Sequence, residues 1–168
     1  AFFLLSFFGF FFSISTIPNH LIYDEPFHLG LAKLILKESL VAAKNSPENA
    51  SAAGVVYPAI HIAAQPITQL TAPSVRFVNL ILTLLLVCIL TLQINRLHPE
   101  AAYTPLLLLG IPFLWPTIGI ALTEVPGLLF YSIHCGSMVA LLRNPSPPAS
   151  SIPHLAIAGI SLGIAILT

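Results

Sequence analysis

Three side chains suited to acid–base chemistry stand close together near the N-terminus. Asp24 and Glu25 are adjacent carboxylates, and His28 follows one helical turn later. Burial and neighbouring charges can shift the pKa values of such groups, which would make this segment an active-site corner. The alternative is structural, because carboxylates at this position cap the helix that Pro26 begins. Taken alone, the pair favours capping over catalysis.

Two further ionisable residues stand at the edges of apolar runs. Glu124 lies between two runs that hold no other carboxylate, and a charge this close to a membrane usually has a partner or a function. Its alternative is an ordinary polar turn before Pro126. The guanidinium of Arg76 can pair with Asp24 or Glu25, grip a phosphate, or anchor the helix at the interface. Both residues therefore join the candidate site.

Tyr57 and His61 lie in an apolar stretch before Arg76 and can line the same cavity. A lone histidine on an apolar face is more often structural than catalytic, so we leave both out of the catalytic set. Cys88 and Cys135 lie inside apolar runs, and their spacing matches no zinc or redox motif. The cysteines therefore predict no metal site.

The composition indicates what must surround these residues. Hydrophobic residues make up 57% of the chain and charged residues only 7%, against about a quarter in soluble domains. Mean hydropathy is +0.94. Lys plus Arg equals Asp plus Glu at 6 each, so there is no basic excess that would indicate nucleic acid as a partner. The expected partner is the lipid bilayer.

Five apolar runs predict an all-α, polytopic membrane helix bundle. The large segment 18–72 holds most of the charge and is expected to form one extramembrane loop. Counting crossings places Asp24 and Glu124 on one side of the membrane, and the turns at Arg96 and Arg143 on the other. The five predicted spans are approximately residues 1–17, 77–95, 103–122, 126–142 and 154–168.

Within the loop, Pro26 and the apolar pattern after it predict one helix over residues 26–44. Three lysines fall on a narrow stripe of that helix. They indicate a helix lying in the membrane interface, or equally a solvated stripe on a helix packed under other protein. The lysines are Lys33, Lys37 and Lys44.

The last run carries Gly159 and Gly163 at small-xxx-small spacing, which predicts close packing on a neighbouring helix. The chain begins with Ala1 rather than Met, and Thr168 closes an apolar run with no polar flank behind it. We therefore expect both ends to be truncated and residues 1–168 to be the N-terminal part of a single transmembrane domain.

The order of these motifs resembles the GT-C glycosyltransferases. Residues 23–29 (YDEPFHL) supply the acidic pair after a first span, residues 76–79 (RFVN) open the next span, and residues 123–126 (TEVP) separate two later spans. The first two strings most resemble the endoplasmic-reticulum alpha-1,2-glucosyltransferases that use dolichyl-phosphate glucose. Bacterial family-39-like transferases are the other candidates.

The resemblance implies an inverting hexosyltransferase whose donor sugar is carried on dolichyl or undecaprenyl phosphate, with a glycan, lipid or protein as acceptor. It implies the endoplasmic reticulum or the bacterial inner membrane, with the loop luminal or periplasmic. By position Asp24 would be the general base. Glu25 and His28 would orient the acceptor or the base, and Arg76 and Glu124 would contact substrate. No cofactor is implied; some members use a divalent cation, but no spacing here demands one.

A secondary transporter or a structural membrane subunit is the alternative. A transporter predicts internal repeats, broken helices and ionisable groups at mid-membrane. The first two runs have no charge at mid-depth, and the fourth has only His134. A structural subunit would leave the shared side of Asp24, Glu25 and Glu124 unexplained. The pattern therefore favours the transferase.

Overall fold

The computed structural model describes residues 8–9, 12, 25–49, 51, 54–72, 74–110, 124–143 and 148–167, with the backbone alone at 108–110 and 148–150. Every regular element within these ranges is a helix, and none of them contains a strand. The predicted all-α class is confirmed at this level.

Within the described residues, the loop segment carries four helices and the apolar runs carry three long ones. The loop helices are α1 (Glu25–Lys37), α2 (Leu40–Asn45), α3 (Val56–Ala63) and α4 (Gln65–Thr68). The long helices are α5 (Ser74–Leu97), α6 (Glu124–Arg143) and α7 (Pro148–Ile166), with short 3₁₀ helices at Pro99–Ala101 and Thr104–Gly110.

The single helix predicted over 26–44 is wrong, because the structure breaks it at Glu38 and Ser39. Ser39 has extended backbone angles, and its Oγ accepts a hydrogen bond from the backbone N–H of Ala42 at 3.2 Å. A serine side chain that satisfies a free N–H starts a new helix more favourably than it continues an old one. The loop therefore folds as two helices, α1 and α2.

Helix α1 buries one face against the start of α5. Leu29 and Ala32 pack with Leu70 and Val75 in one apolar cluster. Leu70 reaches the cluster through a turn in which both it and Gln69 have positive φ, at 51° and 50°. Each left-handed residue costs about 1–2 kcal/mol, which the burial of Leu70 offsets. This turn fixes where α5 begins.

The opposite face of α1 and α2 mixes charge with exposed apolar side chains. Lys33 and Lys37 are exposed. So are the large hydrophobic residues Phe27, Leu36, Leu40 and Val41. Such a face suits the membrane–water boundary, where apolar groups contact lipid and lysines reach water. The interfacial position of this helix stays a prediction.

Helices α5 and α6 are long and apolar enough to cross a membrane. Their most apolar windows have mean hydropathies of 2.5 and 1.6, and only 28% and 17% of the residues in those windows are buried. The core helix of a soluble protein would be mostly covered by other protein. Long apolar helices with exposed sides instead favour lipid as the surrounding medium. Two of the five predicted spans, the second and the fourth, therefore correspond to helices that are long and apolar enough to cross a membrane.

The fifth predicted span is an apolar helix, Ser151–Ile166, that is shorter than the two candidate spans. The first and third predicted spans are described only in part. In the first, Phe8, Gly9 and Phe12 are helical and the remainder lies outside the described residues. The third opens as the 3₁₀ helix Thr104–Gly110 rather than as an α-helix, and 111–123 lie outside the described residues. Pro105 lies in the first turn, where a helix tolerates proline because the N–H groups there have no intrahelical acceptor, so it does not by itself explain the 3₁₀ geometry.

Helix α7 packs mainly on α6, although not through its glycines. A Cβ built on Gly159 or Gly163 would meet no described atom within 4 Å, so close packing at these glycines is not seen among the described residues and stays a prediction. Ala158 and Ser161 are the buried small residues of α7. The Nδ1–H of His134 on α6 donates to the carbonyl of Ala158 at 2.9 Å. Among the described residues, the face of α7 that packs on α6 includes Ala158, whereas Gly159 and Gly163 lie on a different face.

The crossing count predicts sidedness, which can be tested directly. The loop and Glu124 are expected on one side of the membrane, and Arg96 and Arg143 on the other. Single cysteines at Ser46 and Ser146, in a chain whose Cys88 and Cys135 are replaced by alanine, should react with an impermeant maleimide from opposite sides of sealed vesicles. Detergent should expose both sites equally. Labelling of both from one side would contradict the span assignment.

Candidate functional site

A buried ion pair joins the first turn of α1 to the start of α5. Arg76 Nε donates to Glu25 Oε1 at 2.9 Å, and Arg76 Nη2 donates to Oε2 at 2.8 Å. Both side chains have 0% exposure. Two parallel bonds of this kind fix the orientation of both groups. The pair therefore fixes the position of the loop relative to the helix proposed to enter the membrane.

His28 lies one turn after Glu25 on α1, and its side chain contacts Ser51. Its Nδ1 shares a 2.8 Å hydrogen bond with Ser51 Oγ, and both side chains are buried. Ser51 is held in turn by a bond from its backbone N–H to Asn49 Oδ1 at 3.1 Å. The asparagine turn thus delivers a hydroxyl to the histidine and fixes its ring.

Helix α3 adds two aromatic rings to the same region. Tyr57 and His61 are four residues apart, so they share one face of the helix. Their ring centroids are 4.5 Å apart, and the His28 ring stands edge-on to Tyr57 at 5.4 Å. Tyr57 is 0% exposed and His61 is 1% exposed. A row of three rings therefore lies between α1 and α3, within the loop.

Burial keeps two of these rings, those of Tyr57 and His61, neutral. Burial, followed by the negative charges of Glu25 and Glu124, raises the pKa of Tyr57 above its ordinary value, so the phenol stays protonated. Burial lowers the pKa of His61 to about 4, against an opposing effect of Glu25. His61 Nδ1 is buried with no hydrogen-bond partner among the described residues. At neutral pH the two side chains can donate and accept hydrogen bonds but carry no charge.

The C-terminal end of α7 contacts the segment at the start of α3. The backbone N–H of Val56, at the start of α3, donates to the carbonyl of Leu167 at 3.1 Å. A Cβ on Gly54 would overlap that carbonyl, so the close approach requires glycine. The last described turn of the chain therefore stands next to the helix that carries Tyr57 and His61.

The structure brings together three of the five predicted site residues: Glu25, His28 and Arg76. Glu124 stands exposed in the first turn of α6, near enough for its charge to act on Tyr57. Asp24, the proposed base, lies outside the described residues. Arg76 makes the predicted pairing with Glu25, and its pairing with Asp24 stays a prediction.

The fold buries four residues here that the candidate set did not include: Tyr57 and His61 were set aside, and Ser51 and Asn79 were not singled out. Ser51, Tyr57 and His61 belong to the loop, and Asn79 lies fully buried one turn after Arg76 on the same face of α5. The available signal was the four-residue spacing of Tyr57 and His61, which put two polar rings on one helix face. That spacing could not show that α1 would cover them.

Among the described residues, no three His, Cys, Asp or Glu side chains come together in a way that could hold a metal ion. Because Asp24 is not among them, the expectation of a metal-free site stays a prediction. The described part of the cluster holds one carboxylate, Glu25, and Arg76 engages both of its oxygens.

The depressed pKa of His61 predicts an acid-sensitive fold. The unfolded state takes up a proton near pH 6.5 and the folded state only near pH 4, so stability falls as the pH drops through this window. We expect wild-type protein to lose about 3 kcal/mol more than His61→Phe between neutral pH and pH 4. Thermal unfolding followed by circular dichroism measures the difference. The exposed His98→Gln variant should behave like wild type, and an equal pH response in His61→Phe would contradict the assignment.

Comparison with known proteins adds no relative to this picture. No family model, curated protein or solved structure matches the chain. The resemblance to GT-C transferases therefore rests on the motifs at 23–29, 76–79 and 123–126 alone.

Proposed function

We propose that the chain forms part of a membrane glycosyltransferase that moves a hexose from a polyprenyl-phosphate carrier to a glycan, lipid or protein acceptor, with inversion. One observation carries the proposal. Glu25, His28 and Arg76, the residues that follow Asp24 or open the next helix in the motif, meet in one buried cluster at the loop end of α5.

The reaction needs a base placed next to the acceptor. The acceptor hydroxyl must lose its proton as its oxygen attacks the anomeric carbon, and an ionised carboxylate within hydrogen-bond reach can take that proton. Asp24 is the residue proposed for this step. The leaving group is a phosphate, which is already stable as an anion, so cationic or hydrogen-bonding groups serve it better than a strong general acid.

Glu25 and Arg76 act in this proposal as positioning residues. Both oxygens of Glu25 receive hydrogen bonds from Arg76 and neither side chain is exposed, so their direct effect is to fix the first turn of α1. Asp24 precedes that turn by one residue. Small displacements of a catalytic group lower rates strongly, and a rigid neighbour prevents them.

Exposed charge on the same side supplies groups for substrate contact. Glu124 is exposed at the start of α6 and can accept hydrogen bonds from sugar hydroxyls. Lys33 and Lys37 are exposed on α1 and offer positive charge to a carrier phosphate. These roles complete the proposed division between base, positioning groups and substrate contacts.

A donor panel tests the function. Full-length protein in nanodiscs should release polyprenyl phosphate and form a glycosylated product with at least one dolichyl- or undecaprenyl-phosphate hexose. Nucleotide sugars offered as donors, and carrier phosphate without sugar, should give no product. Hexose transfer from nucleotide sugars alone would contradict the proposal. Solute uptake without transfer from any donor would favour the transporter alternative.

A further inference from the structure

At the end of the bundle opposite the buried cluster, two adjoining cavities lie among α5, α6 and α7. The first has a volume of about 420 Å³ and contains both Arg96 and Arg143 in its lining. The second, of about 320 Å³, shares Arg96 and adds His154 from α7. Gln93 lines both cavities. The first cavity thus lies between α5 and α6, and the second shares lining residues with it and extends to α7.

The charge of this region is positive. Arg96 and Arg143 are exposed, and neither forms an ion pair with any residue in the part of the chain described. The nearest acidic residue in sequence, Glu100, pairs with His98 at 3.2 Å and lines neither cavity. Arginines in the last turn of a helix also complement its dipole, which is the purely structural explanation. Helix-dipole stabilisation, however, does not require Arg96 and Arg143 to line the same cavity, as they do here.

A side-chain hydrogen bond fixes α5 and α6 relative to each other beside the first cavity. Gln93 Nε2 donates to the backbone carbonyl of Ser132 at 2.9 Å across the two helices. A Cβ on Gly136 would overlap this amide, so glycine is what lets the glutamine lie against α6. The rest of the first cavity includes apolar side chains such as Leu97 and Val139. It therefore combines two guanidinium groups with an apolar wall.

We propose that these cavities bind the phosphate group of an anionic phospholipid. Guanidinium forks match phosphate oxygens in geometry and charge. The apolar wall suits the glycerol and first acyl carbons. Basic pockets between membrane helices, at the depth where helices end, are suited to such headgroups. Free phosphate shares the charged chemistry but would not use Leu97 and Val139, which is why the lipid is favoured.

Native mass spectrometry of the full-length protein, from mixed phosphatidylglycerol and phosphatidylcholine membranes, tests the site. Preference for phosphatidylglycerol should fall about fivefold in Arg96→Gln or Arg143→Gln, and about 25-fold in the double variant. His98→Glu is the matched control, since it changes the charge by one unit at the same end outside both cavities. It should keep its preference within twofold.

Several outcomes overturn the proposal. Undiminished preference in both arginine variants does so, as does an equal loss in His98→Glu, which would show a general charge effect. Displacement of the lipid from wild type by millimolar inorganic phosphate would assign the site to free phosphate instead. Because Arg96 and Arg143 are both exposed, each single variant should fold, and thermal unfolding near the wild-type temperature establishes this. The single variants decide the question if the double variant does not fold.

Discussion

Full-length protein carrying Asp24→Asn should lose about 100- to 10,000-fold in turnover while keeping near-normal folding. Asparagine has almost the shape of aspartate but cannot accept the proton that leaves the acceptor hydroxyl. The loss should appear in the rate at saturating donor and acceptor, because the missing interaction belongs to the transition state. Steady-state release of polyprenyl phosphate measures it.

Glu38→Gln provides the matched control for that experiment. Glu38 is an exposed carboxylate in the same loop, at the break between α1 and α2, so its removal changes the charge equally without touching the motif. It should retain wild-type turnover. Wild-type turnover in Asp24→Asn would remove the general-base assignment, and with it the main chemical reason for reading the motif as catalytic.

The long helices could be predicted from sequence because their signal is local. Arg76 and Arg96 bracket a run without charge, and α5 covers that run from Ser74 to Leu97. Glu124 and Arg143 bracket the second, and α6 begins and ends at these two residues. Opposite charges at the matching ends of α6 complement its dipole, so composition and helix electrostatics agree.

The break in the loop helix was missed because two local signals compete there. The apolar pattern continues through Ser39, and the lysine spacing fits one long helix. Ser39 nevertheless prefers to cap, and the break lets Ala43 of α2 pack with Leu31 and Leu34 of α1 in one apolar cluster. Periodicity alone could not weigh a capping bond against continued helix.

The buried cluster shows a different limit. The acidic pair and Arg76 were singled out as charges at unusual places, and a pairing with Glu25 was one of the options. Tyr57 and His61 were set aside because each alone fits an ordinary core. Their importance comes from the packing of α1 on α3, which brings His28 onto Tyr57. Contacts between segments about thirty residues apart are not encoded in any one window of sequence.

The Glu25–Arg76 pair should show strong energetic coupling. Glu25→Leu leaves a guanidinium buried without its carboxylate, and we expect a loss of about 3–5 kcal/mol in the free energy of unfolding. Arg76→Met should be destabilising for the same reason. The double variant should recover most of the loss, because apolar residues of similar volume replace a desolvated ion pair at little net cost. Denaturant unfolding of the four proteins gives the coupling energy.

Activity in the same four proteins separates positioning from simple stabilisation. If the ion pair only stabilises the fold, the double variant should regain turnover together with stability. If it fixes the turn that follows Asp24, the double variant should fold well and still turn over slowly, because leucine and methionine lack the two parallel hydrogen bonds that set the orientation. Glu100→Ala, which breaks the exposed pair with His98, should change stability by no more than about 0.5 kcal/mol and leave turnover unaltered. Recovery of wild-type turnover in the double variant would therefore reduce Glu25 and Arg76 to structural residues and leave Asp24 to act without their support.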